Sequence, residues 1–192
     1  MKNEALFIGL AFFVGIFVGA IGMDIFNGKS EPNSTASNVQ QSGAVAPVNF
    51  DQNIKMLKEL VIKEPQNRNA WVQLGNAYFD INRFLESIES YDKALELDGN
   101  DPNVLTDQGV MYRKLGWFDK ALENFNKANS VAPNHAQSVY NAYIVYRQDL
   151  NDFAGAKKAA LRYLAILPNG PASAQLKADL EFMDTHPATT PQ

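Results

Sequence analysis

Cysteine is absent from the 192-residue chain. Disulfides, thiolate zinc sites, covalent haem attachment and lipoprotein-type acylation are therefore excluded together. Histidine is nearly absent as well. His135 and His186 stand far apart with no ligand spacing around them, which argues against a metal site. Neither sign of charge is in large excess: 17 Lys and Arg oppose 21 Asp and Glu, for a formal net charge of −4. A nucleic-acid surface needs a clustered basic face, so that class of partner is not expected. The chain has no Gly-rich phosphate loop, no G-x-S-x-G elbow and no paired-His motif. Acidic pairs such as Asp92 and Glu96 read as solvated helix surface rather than as general acids. The expectation is a protein with no cofactor, no metal and no enzymatic activity.

One long apolar run is present, residues 5–23, ALFIGLAFFVGIFVGAIGM, and it is uncharged. As a helix it measures about 28 Å, against a hydrocarbon core of ~30 Å. Residues 5–26 are therefore expected to form an uncleaved transmembrane anchor behind a short flank at 1–4. The rival is a secretory signal cut after Val18-Gly19-Ala20, which would release a soluble exported domain. Signal cores usually span about 7–15 apolar residues, and this run continues past that site. Lys2 and the terminal amine precede the run, with Glu4, while Asp24, Lys29 and Glu31 follow it. The positive-inside rule then places the N-terminus in the cytoplasm and the bulk outside, in the periplasm if the source is bacterial. Residues 27–49 are rich in Gly, Ser, Asn, Gln, Ala and Pro and read as a flexible linker reaching on the order of 25 Å. Residues 185–192 read as a disordered tail.

From residue 50 a period appears. Trp71-Val72-Gln73-Leu74-Gly75-Asn76-Ala77-Tyr78 is echoed 34 residues later by Leu105, Gln108, Gly109 and Tyr112, and 34 later again by Val139, Ala142, Tyr143 and Tyr146. Ser87, Tyr91 and Ala94 recur as Ala121, Phe125 and Ala128, and turn residues punctuate at Pro65, Gly99, Pro133 and Pro168. Apolar residues at i, i+3 and i+7 make one helix stripe, and Asp101-Pro102 is an N-cap followed by Pro at the first helical position. The pattern predicts helices near 51–64, 68–82, 84–97, 102–115, 118–131, 136–149, 153–166 and 171–183. Gln108 replaces a buried Leu and must find a hydrogen-bond partner or reach solvent. In the third unit large and small residues trade places, Tyr143 for Gly and Ala160 for an aromatic, in a compensated packing. That unit's extra residue is expected in the turn Asp149–Asp152. The last helix is expected to expose Gln175, Lys177, Asp179 and Glu181 as a solvent-facing cap.

This W-x-x-L-G-x-x-Y pattern over residues 50–184 resembles the tetratricopeptide repeat (TPR) family. The resemblance implies an all-α, right-handed superhelical solenoid of three TPR helix pairs, at about 68–101, 102–135 and 136–170, with flanking helices 51–64 and 171–183. It implies a concave groove lined by the first helix of each pair. The lining positions fall at Asn69, Val72, Asn76 and Phe79, then Asn103, Thr106, Val110 and Arg113, then Gln137, Tyr140, Ile144 and Arg147. Some members clamp acidic chaperone C-termini with Lys, Asn and Arg. Of that set this chain keeps Asn76, whereas Val72 replaces a lysine and Asp107 an asparagine, so that partner is not expected. The implied function is a membrane-tethered scaffold or adaptor for a protein or peptide segment, acidic and apolar in character if the two arginines receive it, in the assembly of a membrane or periplasmic complex. Alternatives are an assembly helper of the cytochrome c maturation type and a homo-oligomeric lattice protein.

Overall fold

A computed structural model describes residues 49–186, and within them there are eight α-helices and no strand. They are α1 Phe50–Lys63, α2 Arg68–Asp80, α3 Phe84–Leu97, α4 Pro102–Lys114, α5 Phe118–Val131, α6 Ala136–Ile144, α7 Phe153–Ile166 and α8 Ser173–Thr185. No described helix is long and apolar enough to cross a membrane. The expected flank, anchor and nearly all of the linker and tail lie outside the described residues.

The first two pairs are each closed by a ring over a glycine. A Cβ on Gly75 would stand 2.5 Å from the Tyr91 ring, and one on Gly109 would stand 2.5 Å from Phe125. Ser87 joins the same two helices by donating its hydroxyl to the Gly75 carbonyl at 2.9 Å. The third pair solves the same volume problem from the other side. Tyr143 of α6 is buried against Ala156, Ala159 and Ala160 of α7, with Tyr163, Leu176 and Met183 completing the cluster. The exchange of large and small residues conserves packing, as the sequence implies.

Gln108 finds its partners in the core. It is 3% exposed, donates to Asp92 Oδ1 at 2.7 Å and to the Ile88 carbonyl at 3.3 Å, and accepts from Asn124 Nδ2 at 2.8 Å. Asp92 thus serves a structural network and is not simply solvated surface. Asp101 caps α4 by accepting from the Asn103 and Val104 amides.

The extra residue of the third unit does not lie in the turn. The three turns between paired helices are alike, with left-handed residues at Asn82 (φ 60°), Gly116 (φ 76°) and Asn151 (φ 52°). Instead, α6 runs into a π-helical turn, Val145–Asp149, sealed by Leu150 N–H to the Val145 carbonyl at 2.9 Å. Arg83 and Trp117 each bond back five residues, to Tyr78 and Tyr112, whereas Asp152 reaches back six, to Tyr146. A wider last turn absorbs the insertion and keeps the following turn unchanged. The last helix begins at Ser173 rather than at Pro171. Its Asp179 is half-buried against α6, not turned to solvent.

Candidate functional site

The first helices α2, α4 and α6 present the twelve expected lining residues, and they do so unequally. Asn69, Asn76, Asn103 and Gln137 are exposed; Val72, Val110, Tyr140 and Ile144 are half-buried; Phe79 is exposed. Several are anchored from beneath. Asn76 Oδ1 accepts the Tyr91 hydroxyl at 2.7 Å, and Asn103 Oδ1 lies 3.1 Å from His135 Nε2. The Tyr140 ring lies 5.9 Å from that of Tyr143 and 5.7 Å from that of Tyr163, centroid to centroid.

Thr106 does not line this face. It is fully buried, and its hydroxyl donates to the Pro102 carbonyl at 2.6 Å. Nor are the two arginines free. Arg113 Nη2 donates to Asp149 Oδ1 at 3.1 Å, with Nε on the other oxygen. Arg147 donates through Nε to Asp179 Oδ2 at 2.8 Å and through Nη2 to Oδ1 at 3.1 Å. Its guanidinium also sits 4.8 Å from the Phe153 ring centre and 5.5 Å from that of Phe182. Arg68 pairs with Asp101 through Nη2 alone, and its buried Nε has no hydrogen-bond partner among the described residues. All three pairs join one repeat unit to the next, so the expected arginine capture of an acidic partner finds both guanidiniums occupied by carboxylates of this chain.

Burial shows where the face truly runs. Along α4, residues 104–106, 108, 109 and 111 are buried, while Asn103, Asp107, Val110 and Lys114 are not. The stripe is therefore spaced 4, 3, 4, and it includes a row absent from the sequence reading: Gln73, Asp107 and Asn141, each 34 residues from the next. Both phases suit a helix, since neighbours at i+3 and i+4 share a face. One signal separates them, because of the adjacent pair Thr106 and Asp107 the ionisable residue is the harder to bury. Asp107 is half-buried. Burial first, and then the field of Asp101, push its carboxyl up to about 6. Tyr91 in turn is pushed up, by burial and then by the charge of Asp107.

The opposite side, between successive second helices, carries a mainly apolar furrow of about 420 Å³ between α1 and α3, with Val61, Ile62, Trp71, Leu74 and Tyr78 in its walls. One unit on the furrow recurs at about 460 Å³, with Gln108 and Tyr112 in place of Leu74 and Tyr78 and the Asp92–Gln108–Asn124 network making its wall polar, and it recurs again at about 130 Å³ between α5 and α7.

Comparison with known proteins supports the repeat family. Tetratricopeptide repeat models match residues 69–101 and 90–123, within the first two units. Human protein O-mannosyl-transferase TMTC3 is 26% identical over 113 residues, which is 57% of this chain and 12% of that protein. The Hsp70-Hsp90 organizing protein of Triticum aestivum is 38% identical over 56 residues, 29% of this chain and 10% of its own. The chain spans only a small part of these curated relatives. The crystal structure of MamA superposes with a TM-score of 0.62 at 21% identity, over 70% of this chain and 81% of that one, which is a likeness of fold.

Proposed function

We propose that this chain is a membrane-tethered scaffold whose first-helix face holds a segment of a partner protein for complex assembly. The observation that carries the reading is the alignment of three accessible rows across α2, α4 and α6: Asn69/Asn103/Gln137, Gln73/Asp107/Asn141 and Asn76/Val110/Ile144. Such rows repeat at one spacing and mix apolar floor with amides, the composition that gives an extended or helical segment both affinity and register. The second-helix furrow recurs in each unit, but its lining turns from mainly apolar between α1 and α3 to polar between α3 and α5 and it narrows between α5 and α7, so it repeats in place and not in chemistry or width. The tether rests on the apolar run at residues 5–23, with the repeat domain on the outer side of the membrane.

The test is affinity capture from the native membrane fraction with the full chain, comparing wild type with Phe79→Ala/Ile144→Ala. Both side chains are partly accessible, so melting should stay close to wild type while specific partners are lost. A variant that melts normally and retains every partner would place recognition on the furrow side instead.

A further inference from the structure

The middle of the first-helix face carries a charge that the fold leaves unanswered. Arg68, Arg113 and Arg147 are each neutralised by Asp101, Asp149 and Asp179. Asp107 has no such counterpart: no hydrogen bond or cation offsets its burial among the described residues. It lies in the accessible stripe of α4, three residues from Val110 and in line with the amides Gln73 and Asn141 of the neighbouring units. A half-buried carboxylate without a partner costs free energy, and an approaching cation recovers it in a low-dielectric setting. An anion brought to the same place meets like charge and finds the nearby guanidiniums already engaged.

We infer that the face receives a Lys or Arg side chain of the partner segment at Asp107, with Val110 and Ile144 taking the apolar residues beside it. This reverses the acidic preference expected from the arginines, and it rests on the reading that the first-helix face is the binding surface. Gln73 and Asn141 flank the contact with neutral donors and acceptors, suited to the backbone or polar side chains of the same segment.

A random-peptide phage library selected on the full chain in detergent tests it, with Asp107→Asn, Asp107→Glu and Val110→Ala/Ile144→Ala as comparison targets. Peptides enriched on wild type should carry Lys or Arg at one recurring position. Their synthetic consensus, followed by fluorescence anisotropy, should weaken about tenfold or more on Asp107→Asn and far less on Asp107→Glu, the scale of a partly desolvated charge pair. Replacing the recurring cation by norleucine should cost a similar factor on wild type and nothing on Asp107→Asn. Peptides that need Val110 and Ile144 but show no cation, or are indifferent to Asp107→Asn, overturn the inference and leave the face as the binding surface. Peptides indifferent to Val110→Ala/Ile144→Ala, or no enrichment at all, overturn both.

Discussion

At the scale of single residues, packing leaves no slack around the two repeat glycines. The rings opposite them, Tyr91 and Phe125, are 2% and 0% exposed, so neither can withdraw from an added methyl. Gly109→Ala is expected to cost about 1–3 kcal/mol, the usual range for overpacking. Gly109→Ala/Phe125→Leu should recover part of it, and thermal melts of the two variants check this. The Asp107 carboxyl makes a second, pH-dependent case. Its folded value near 6 exceeds its ordinary 3.8, so the folded chain holds that proton more tightly than the unfolded chain does. Stability from this group therefore falls as pH rises from 3.8 to about 6, and the penalty stays constant above that. The charged group acting on it is Asp101, itself tied to Arg68. Asp107→Asn should melt a few degrees higher than wild type at about pH 8 and no higher at about pH 4. An equal shift at both values would show that the carboxyl carries no burial penalty.

At the scale of elements, the core contacts of Leu176 and Met183 on α8 are supplemented by one half-buried arginine contact. Arg147 lies between Phe153 and Phe182 and grips Asp179 with two nitrogens, while the Tyr143 hydroxyl donates to the same carboxylate at 2.7 Å. Burial pushes the Asp179 carboxyl up, but the hydrogen bonds from Arg147 and Tyr143 outweigh it and hold it below its ordinary 3.8. The stabilisation is thus complete above 3.8 and is lost as pH falls through the lower folded value. Arg147→Lys cannot reproduce the planar, bidentate, stacked contact. It should cost about 1–3 kcal/mol, and hydrogen exchange should localise the loss to α8 while α2–α5 keep their protection. For the same reason, reversing Arg113 and Arg147 to Glu sets like charges against Asp149 and Asp179 and destabilises the domain, although the sequence alone reads both as free surface. Helix positions were legible because glycine, alanine and aromatic slots recur every 34 residues and caps such as Asp101-Pro102 mark the starts. The arginine pairs were not, since their partners stand 32–36 residues away on another unit. The phase of the binding face was half legible. Periodicity admits both Thr106 and Asp107; the greater cost of burying an ionisable residue points to Asp107, and the burial of Thr106 bears that out.

At the scale of the whole molecule, a solenoid is built of neighbours touching neighbours, and the apolar run at residues 5–23 lies outside the 34-residue repeat pattern that builds it. Nineteen uncharged residues are enough to span a bilayer and longer than a signal core needs. The run also fits a tether better than a releasable leader, because a polar, Gly- and Ser-rich stretch separates it from Phe50. Behind an anchor, a spacer of that length and composition would reach on the order of 25 Å and let the proposed binding face reorient above a membrane. The full chain should therefore pellet with membranes and resist alkaline or high-salt extraction, which releases peripheral proteins but not a spanning helix. Mass spectrometry of that fraction should recover peptides containing Phe7 to Met23. A mature chain beginning at Ile21 and found in the soluble exported fraction would remove the anchor. It would leave the same recognition face on a soluble exported domain.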